Sequence, residues 1–98
     1  MEAIHAAIPH REPFLFLDRI VERSEMAIEA EWDVRADAPF LEGHYPGQPL
    51  VPGVLLCESV FQAGAILCAT SEPKEDGVPV LTKITEARFK HMVHPGET

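Results

Sequence analysis

The sequence predicts an α+β domain in which a curved antiparallel sheet wraps one long helix, and three features lead there. Met26 to Val34 alternates, with Met26, Ile28, Ala30, Trp32 and Val34 on one side and Glu29, Glu31 and Asp33 on the other, the period of a half-buried strand. Val54 to Ala69 is apolar almost all round, the mark of a helix destined for burial, and it carries one carboxylate, Glu58, and one amide, Gln62. Glycine, proline and charge separate these runs, so the elements are punctuated as a single small domain.

Taken in order, Glu2 to Ile8 can form a short helix with Ile4 and Ile8 as its apolar edge, stopped by Pro9. Phe14 to Glu22 reads as a strand rich in aromatic and β-branched residues, interrupted by Asp18-Arg19. Arg23-Ser24-Glu25 turns the chain into the alternating strand, whose acidic outer face reads as a solvated surface. Arg35 to Gly53 is loop, longer than an ordinary connection. The helix runs from there to about Ala69, and its small residues Ala63, Gly64, Ala65 and Ala69 would let a neighbouring backbone pack closely. A polar return follows from Ser71 to Pro79, then a third strand from Val80 to Lys90, and Pro95-Gly96 marks a further turn.

Ninety-eight residues make one domain. A chain this short buries only roughly 60 to 65% of its unfolded surface, so a dimer would help it. A net charge of −8 argues against a nucleic-acid binder, which would show a basic face. No stretch reads as a signal peptide or a membrane span, so the expected compartment is the cytoplasm; an imported plastid protein stripped of its transit peptide would read the same. Cys57 and Cys68 are eleven residues apart on one helix face. Their separation of about 16 Å is too long for a disulfide, and they read as buried small apolar residues of a reducing compartment. His91 and His94 lack the companions of a zinc site, so no metal is expected, and His5, His10, His91 and His94 read as structural or surface residues.

The polar groups that need a reason lie around the start of the long helix. Gly43-His44-Tyr45-Pro46-Gly47-Gln48-Pro49-Leu50-Val51-Pro52-Gly53 holds three prolines and three glycines, so it should keep one shape without regular hydrogen bonding, and His44 should be held in it. Pro52 is preset for a helix start, and Gly53 lets something approach the backbone where free N–H groups and the positive end of the dipole meet. Glu58 and Gln62, four residues apart, share a stripe. An ionised carboxylate in so apolar a helix costs several kcal/mol unless it is paired or protonated, which is the condition of a group that serves as an acid near neutral pH.

The run Pro9-His10-Arg11-Glu12-Pro13-Phe14-Leu15-Phe16-Leu17-Asp18-Arg19-Ile20, the His44 loop, Pro52-Gly53-Val54-Leu55, Glu58, Gln62-Ala63 and Ala87-Arg88-Phe89-Lys90 resemble the (3R)-3-hydroxyacyl-(acyl carrier protein) dehydratases of bacterial-type fatty acid synthesis. The Z type is the nearer match, since the A type has aspartate at the position of Glu58. The resemblance spans Ile8 to Glu97 and implies the hotdog fold, no cofactor, and a homodimer or a trimer of dimers. It implies His44 as the base that removes the C2 proton, Glu58 as the acid at the departing hydroxyl, Gly53 N–H as the oxyanion donor and Gln62 as the residue holding the Glu58 carboxyl. His44 and Glu58 would meet across the dimer interface beside an acyl tunnel. It also implies an unusual backbone at His44-Tyr45, for which a non-proline cis bond is one form.

Relatives of this kind continue past Pro95-Gly96 with further strands, and three strands cannot cover the helix, so residues 1–98 are expected to be a C-terminally incomplete hotdog domain. The alternatives are a sheet completed by another chain and a chain that does not fold alone. The acyl substrate would arrive on acyl carrier protein, itself acidic, so docking on this acidic chain needs a local basic patch, for which Arg88, Lys90 and His91 are the candidates. A non-catalytic acyl-binding or assembly module remains the rival reading, with an acyl thioesterase a weaker third.

Overall fold

The computed structural model describes residues 1–71 and 84–98. Its elements are helix α1 (Glu2–Ala7), strands β1 (Arg19–Arg23) and β2 (Ile28–Glu31), a 3-10 turn at Pro39–Leu41 and the long helix α2 (Gly53–Ser71). This is the expected α+β arrangement, a two-stranded antiparallel sheet beside a long helix.

Ile4 and Ile8, the predicted apolar edge of α1, are buried and join Leu15, Leu17, Ala65 and Ile66 in one core. Each such aliphatic side chain contributes on the order of 1.5–3 kcal/mol on leaving water. Arg11 closes this corner: its guanidinium donates to the carbonyls of Ile8 (2.9 Å), His10 (2.7 Å) and His5 (3.1 Å), which satisfies acceptors that the end of α1 leaves open.

The first strand begins later than the composition of Phe14–Glu22 suggests, because α2 takes the backbone groups that a ladder would use. Phe16 N–H donates to Gln62 Oε1 (2.8 Å), Ser59 Oγ donates to the Phe16 carbonyl (2.8 Å), and Gln62 Nε2 donates to the Phe14 carbonyl (3.3 Å). Residues 15–17 are thereby pinned, buried, along the helix instead of along a strand. Pairing starts at Arg19↔Glu31, with an irregularity in register between Ile20 and Glu22. Ile28, Ala30 and Trp32 are half-buried and Val34 is buried, as the alternation requires, but Met26 is 87% exposed because it falls in the turn closed by Ser24 N–H on the Ala27 carbonyl. On the outer face Arg19 pairs with Glu31 and Asp33, a solvated ion network.

The helix departs from its expectation on one side. Gln62, Ala65 and Ile66 are buried, yet Val54 is 75% and Val60 73% exposed, and a Cβ added to Gly64 would meet none of the described residues within 4 Å. Cys57 is half-buried and Cys68 exposed, so neither is the buried apolar residue that the sequence suggested. Among the described residues, the short helix, the strands and the extended segment pack on the face of α2 that carries Gln62, Ala65 and Ile66. The third strand is also not found where it was expected. Residues 84–90 have no regular structure and no backbone hydrogen bond among the described residues, while the start of that strand and the polar return before it lie outside them. Instead the tail pairs with the end of the hairpin: Val34 N–H donates to Glu97 O (2.9 Å) and Gly96 N–H to Val34 O (2.7 Å). The predicted Pro95-Gly96 turn supplies the geometry, with Gly96 at φ +92°.

Candidate active site

The loop before α2 is held by its own sequence. Gln48 N–H donates to the Tyr45 carbonyl (2.9 Å) across Pro46 and Gly47, and Gly47 has φ +88°. Proline second and a positive-φ glycine third is the pattern of a type II turn. Tyr45 itself has φ +56°, the left-handed region that costs an L residue roughly 1–2 kcal/mol. This is the unusual backbone at His44-Tyr45; the bond between them is not cis, and among the described residues the cis bond lies at Glu12-Pro13.

The turn brings His44 Nδ1 to 3.0 Å from the Leu50 carbonyl, while the Tyr45 ring lies edge-on to the imidazole at 4.8 Å. A carbonyl can only accept, so Nδ1 carries a proton, and in the neutral ring Nε2 is then the nitrogen with the lone pair. That is the tautomer a general base needs. Val51 N–H, bonded to the Val93 carbonyl (2.8 Å), ties the loop to the C-terminal segment.

At the helix start the N–H groups of Leu55 and Leu56 turn back to the Pro52 carbonyl (3.0 and 3.3 Å), and Gly53 N–H has no acceptor among the described residues. The close approach expected at Gly53 is made by the Phe89 ring: a Cβ there would lie 2.8 Å from Cε2 and 3.0 Å from Cζ, so a larger residue would displace the ring.

One turn further on, Glu58 is partly buried, bonded to Gln62 and close to His10. Gln62 Nε2 donates to Glu58 Oε2 at 3.1 Å, and His10 Nε2 stands 3.5 Å from the same oxygen, with 17% of the Glu58 side chain exposed. Gln62 is 0% exposed, and its amide is fully spent on Phe16 N–H, the Phe14 carbonyl and Glu58, which is what makes its burial affordable. His10, read from sequence as structural or surface, therefore touches the candidate acid. The signal was its place in the Pro9-His10-Arg11 run, but nothing in residue spacing links position 10 to position 58.

Within this chain the structure brings Glu58, Gln62 and His10 together and does not join His44 to them. No hydrogen bond, ion pair or ring contact links His44 with Glu58 among the described residues. An open, mostly apolar cavity of about 360 Å³ flanks the helix, lined by Cys57, Val60, Phe61, Ile84, Ala87 and Arg88. Phe61 also packs edge-on against His10, centroids 6.3 Å apart, so the cavity adjoins the Glu58 side. Arg88 is exposed and paired with Glu86 (2.7 Å), which offsets part of the basic character expected of it, and Lys90 and His91 are exposed beside it.

A family model described as the FabA-like domain matches residues 8–98. A protein of Chloroflexus aggregans named 3-hydroxyacyl-(acyl-carrier-protein) dehydratase FabZ is 46% identical over 101 residues, covering 100% of this chain and 69% of that protein. Proteins of the same name from Syntrophotalea carbinolica and Clostridium perfringens are 44% and 40% identical, over 92% and 97% of this chain and 63% and 68% of their own length. The chain thus spans about two thirds of the length of these relatives.

Proposed function

This chain belongs to the FabA-like domain family, whose fold is the hotdog, and we propose that it is a hydro-lyase that dehydrates (3R)-3-hydroxyacyl thioesters carried on acyl carrier protein to trans-2-enoyl thioesters in fatty acid biosynthesis. The observation that carries the reading is the presence, on one chain, of a loop histidine held through Nδ1 and a helix carboxylate bonded to a buried amide.

The reaction needs three groups. His44 Nε2 takes the C2 proton; the electron pair of that C–H bond forms the C2=C3 bond as the C3–O bond breaks; Glu58 gives its proton to the departing hydroxyl, which leaves as water. Gly53 N–H, at the positive end of α2, stabilises the negative charge that develops on the thioester oxygen, a contribution of about 3 kcal/mol for one such donor. Proton return from His44 to Glu58 through water resets the site. The apolar cavity beside Phe61 accommodates the start of the acyl chain.

Because His44 and Glu58 do not meet within one chain, a second copy supplies the complementary half, and the uncovered face of α2 is a surface such a copy would bury. Acyl carrier protein docks through Arg88 and Lys90, and the compartment is the cytoplasm. Among the described residues no helix is long and apolar enough to cross a membrane. The rival reading, a non-catalytic acyl-binding or assembly module, draws on that same uncovered face.

Hydration of a crotonyl thioester decides between them. His44→Ala and Glu58→Gln should each lower kcat by at least about a hundredfold. Mixing the two dead variants should restore up to about a quarter of the wild-type rate, as a two-fold assembly with shared sites requires. Wild-type activity in either single variant overturns the assignment, and a wild-type chain that binds acyl thioester without turnover favours the binding module.

A further inference from the structure

We propose that His10 is a positioning residue for Glu58: together with Gln62 it holds one carboxyl oxygen, Oε2, and so leaves the other, Oε1, to exchange the proton with substrate. Gln62 Nε2 and His10 Nε2 both converge on Oε2, at 3.1 and 3.5 Å. Oε1 has no partner among the described residues, and the side chain keeps 17% exposure. A protonated carboxyl has one carbonyl-like oxygen, which accepts, and one hydroxyl, which donates. A hydrogen bond from Gln62, with the His10 ring nitrogen at ion-pair distance from the same oxygen, assigns the first role to Oε2 and the reacting hydroxyl to Oε1.

The imidazole is placed for this task by its surroundings. Its ring stacks on Phe14, centroids 6.4 Å apart and 21° between planes, and meets Phe61 edge-on at 6.3 Å. Arg11 fixes the backbone beneath it by taking the His10 and Ile8 carbonyls. The other ring nitrogen, Nδ1, is buried without a hydrogen-bond partner among the described residues. Of the two neutral tautomers, the one with hydrogen on Nδ1 would bury an orphan donor and turn a lone pair toward the carboxyl oxygen. The tautomer with hydrogen on Nε2 leaves only an unused acceptor and turns its N–H toward Glu58 Oε2. Burial thus selects the form that orients the carboxyl.

The inference rests on the dehydratase reading for its consequence, but the pairing is measured without turnover. In the folded full chain, long-range 1H–15N spectra should show His10 with its proton on Nε2, and His10→Phe, which keeps a ring between Phe14 and Phe61, should move the Glu58 carboxyl 13C resonance. An unmoved carboxyl signal, or an Nδ1–H tautomer, overturns the proposal whatever the activity. In the crotonyl thioester assay His10→Phe should lower kcat about ten- to a hundredfold with KM within about twofold, the scale of a misplaced reacting group. His10→Gln, whose amide reaches the place of Nε2, should recover most of that loss. Equal losses in both variants, or none in His10→Phe, also overturn it. Absence of turnover in the wild-type chain with the spectral pairing intact rejects the dehydratase reading and leaves the pair standing.

Discussion

On the Glu58 side the carboxyl group is held by Gln62, one turn along the same helix, and by His10 from the far end of the chain, while Gln62 is itself anchored on the backbone of Phe14 and Phe16. On the His44 side the imidazole is held by the carbonyl of Leu50, six residues away, across a turn that Pro46 and Gly47 define. One half-site exists only when the N-terminal segment packs on α2; the other is built by neighbours in sequence. The two should therefore fail under different perturbations, the first with the global fold and the second with local turn chemistry.

The largest effect is expected at Gln62. Replacement by leucine keeps the volume but strands the buried Phe16 N–H and removes the donor from the part-buried Phe14 carbonyl, together a cost of about 3 kcal/mol. Thermal unfolding followed by circular dichroism should show a midpoint lower by on the order of 15 °C in a domain of this size. A midpoint within about 2 °C of wild type would mean that the Glu58 side does not depend on this amide.

Gly47→Ala tests the other half. With φ at +88°, an added Cβ has open space but a disfavoured backbone, so the change should cost about 1 kcal/mol in urea denaturation. Should the loss reach that of Gln62→Leu, the loop is coupled to the core and the contrast between the half-sites collapses. Smallest of all is Tyr45→Gly. Relief of the left-handed backbone and the greater freedom of glycine in the unfolded chain oppose each other, and stability should stay within about 0.5 kcal/mol of wild type. A loss well above that would show that the Tyr45 ring against His44 holds the loop, not the turn.

Much of this was legible beforehand. The alternation of residues 26–34 located β2, Pro9 ended α1, and the Gly/Pro loop announced a fixed His44 because φ restrictions act within a residue or two. The four-residue spacing of Glu58 and Gln62 put them on one stripe, and they do bond. Harder to see was the fate of Phe14–Leu17. Its composition favours a strand, but Gln62 and Ser59 compete for its backbone, and that competition involves residues more than forty positions away. The burial of α2 was over-read for a related reason: periodicity reports that a helix is apolar all round, not which of its faces its neighbours pack against.

By itself, then, the order of residues determined the class of the fold, the position of the long helix, the rigidity of the His44 turn and the family to which the chain belongs, since all of these rest on short-range sterics or on motifs. Tertiary structure alone decided that Gln62 is anchored on Phe14 and Phe16, that the Phe89 ring covers Gly53 and that His10 shares an oxygen of Glu58 with Gln62. The physical reason is range: a backbone dihedral is restricted by its immediate neighbours, whereas a hydrogen bond between distant residues exists only after the packing that brings them within 3 to 4 Å has formed.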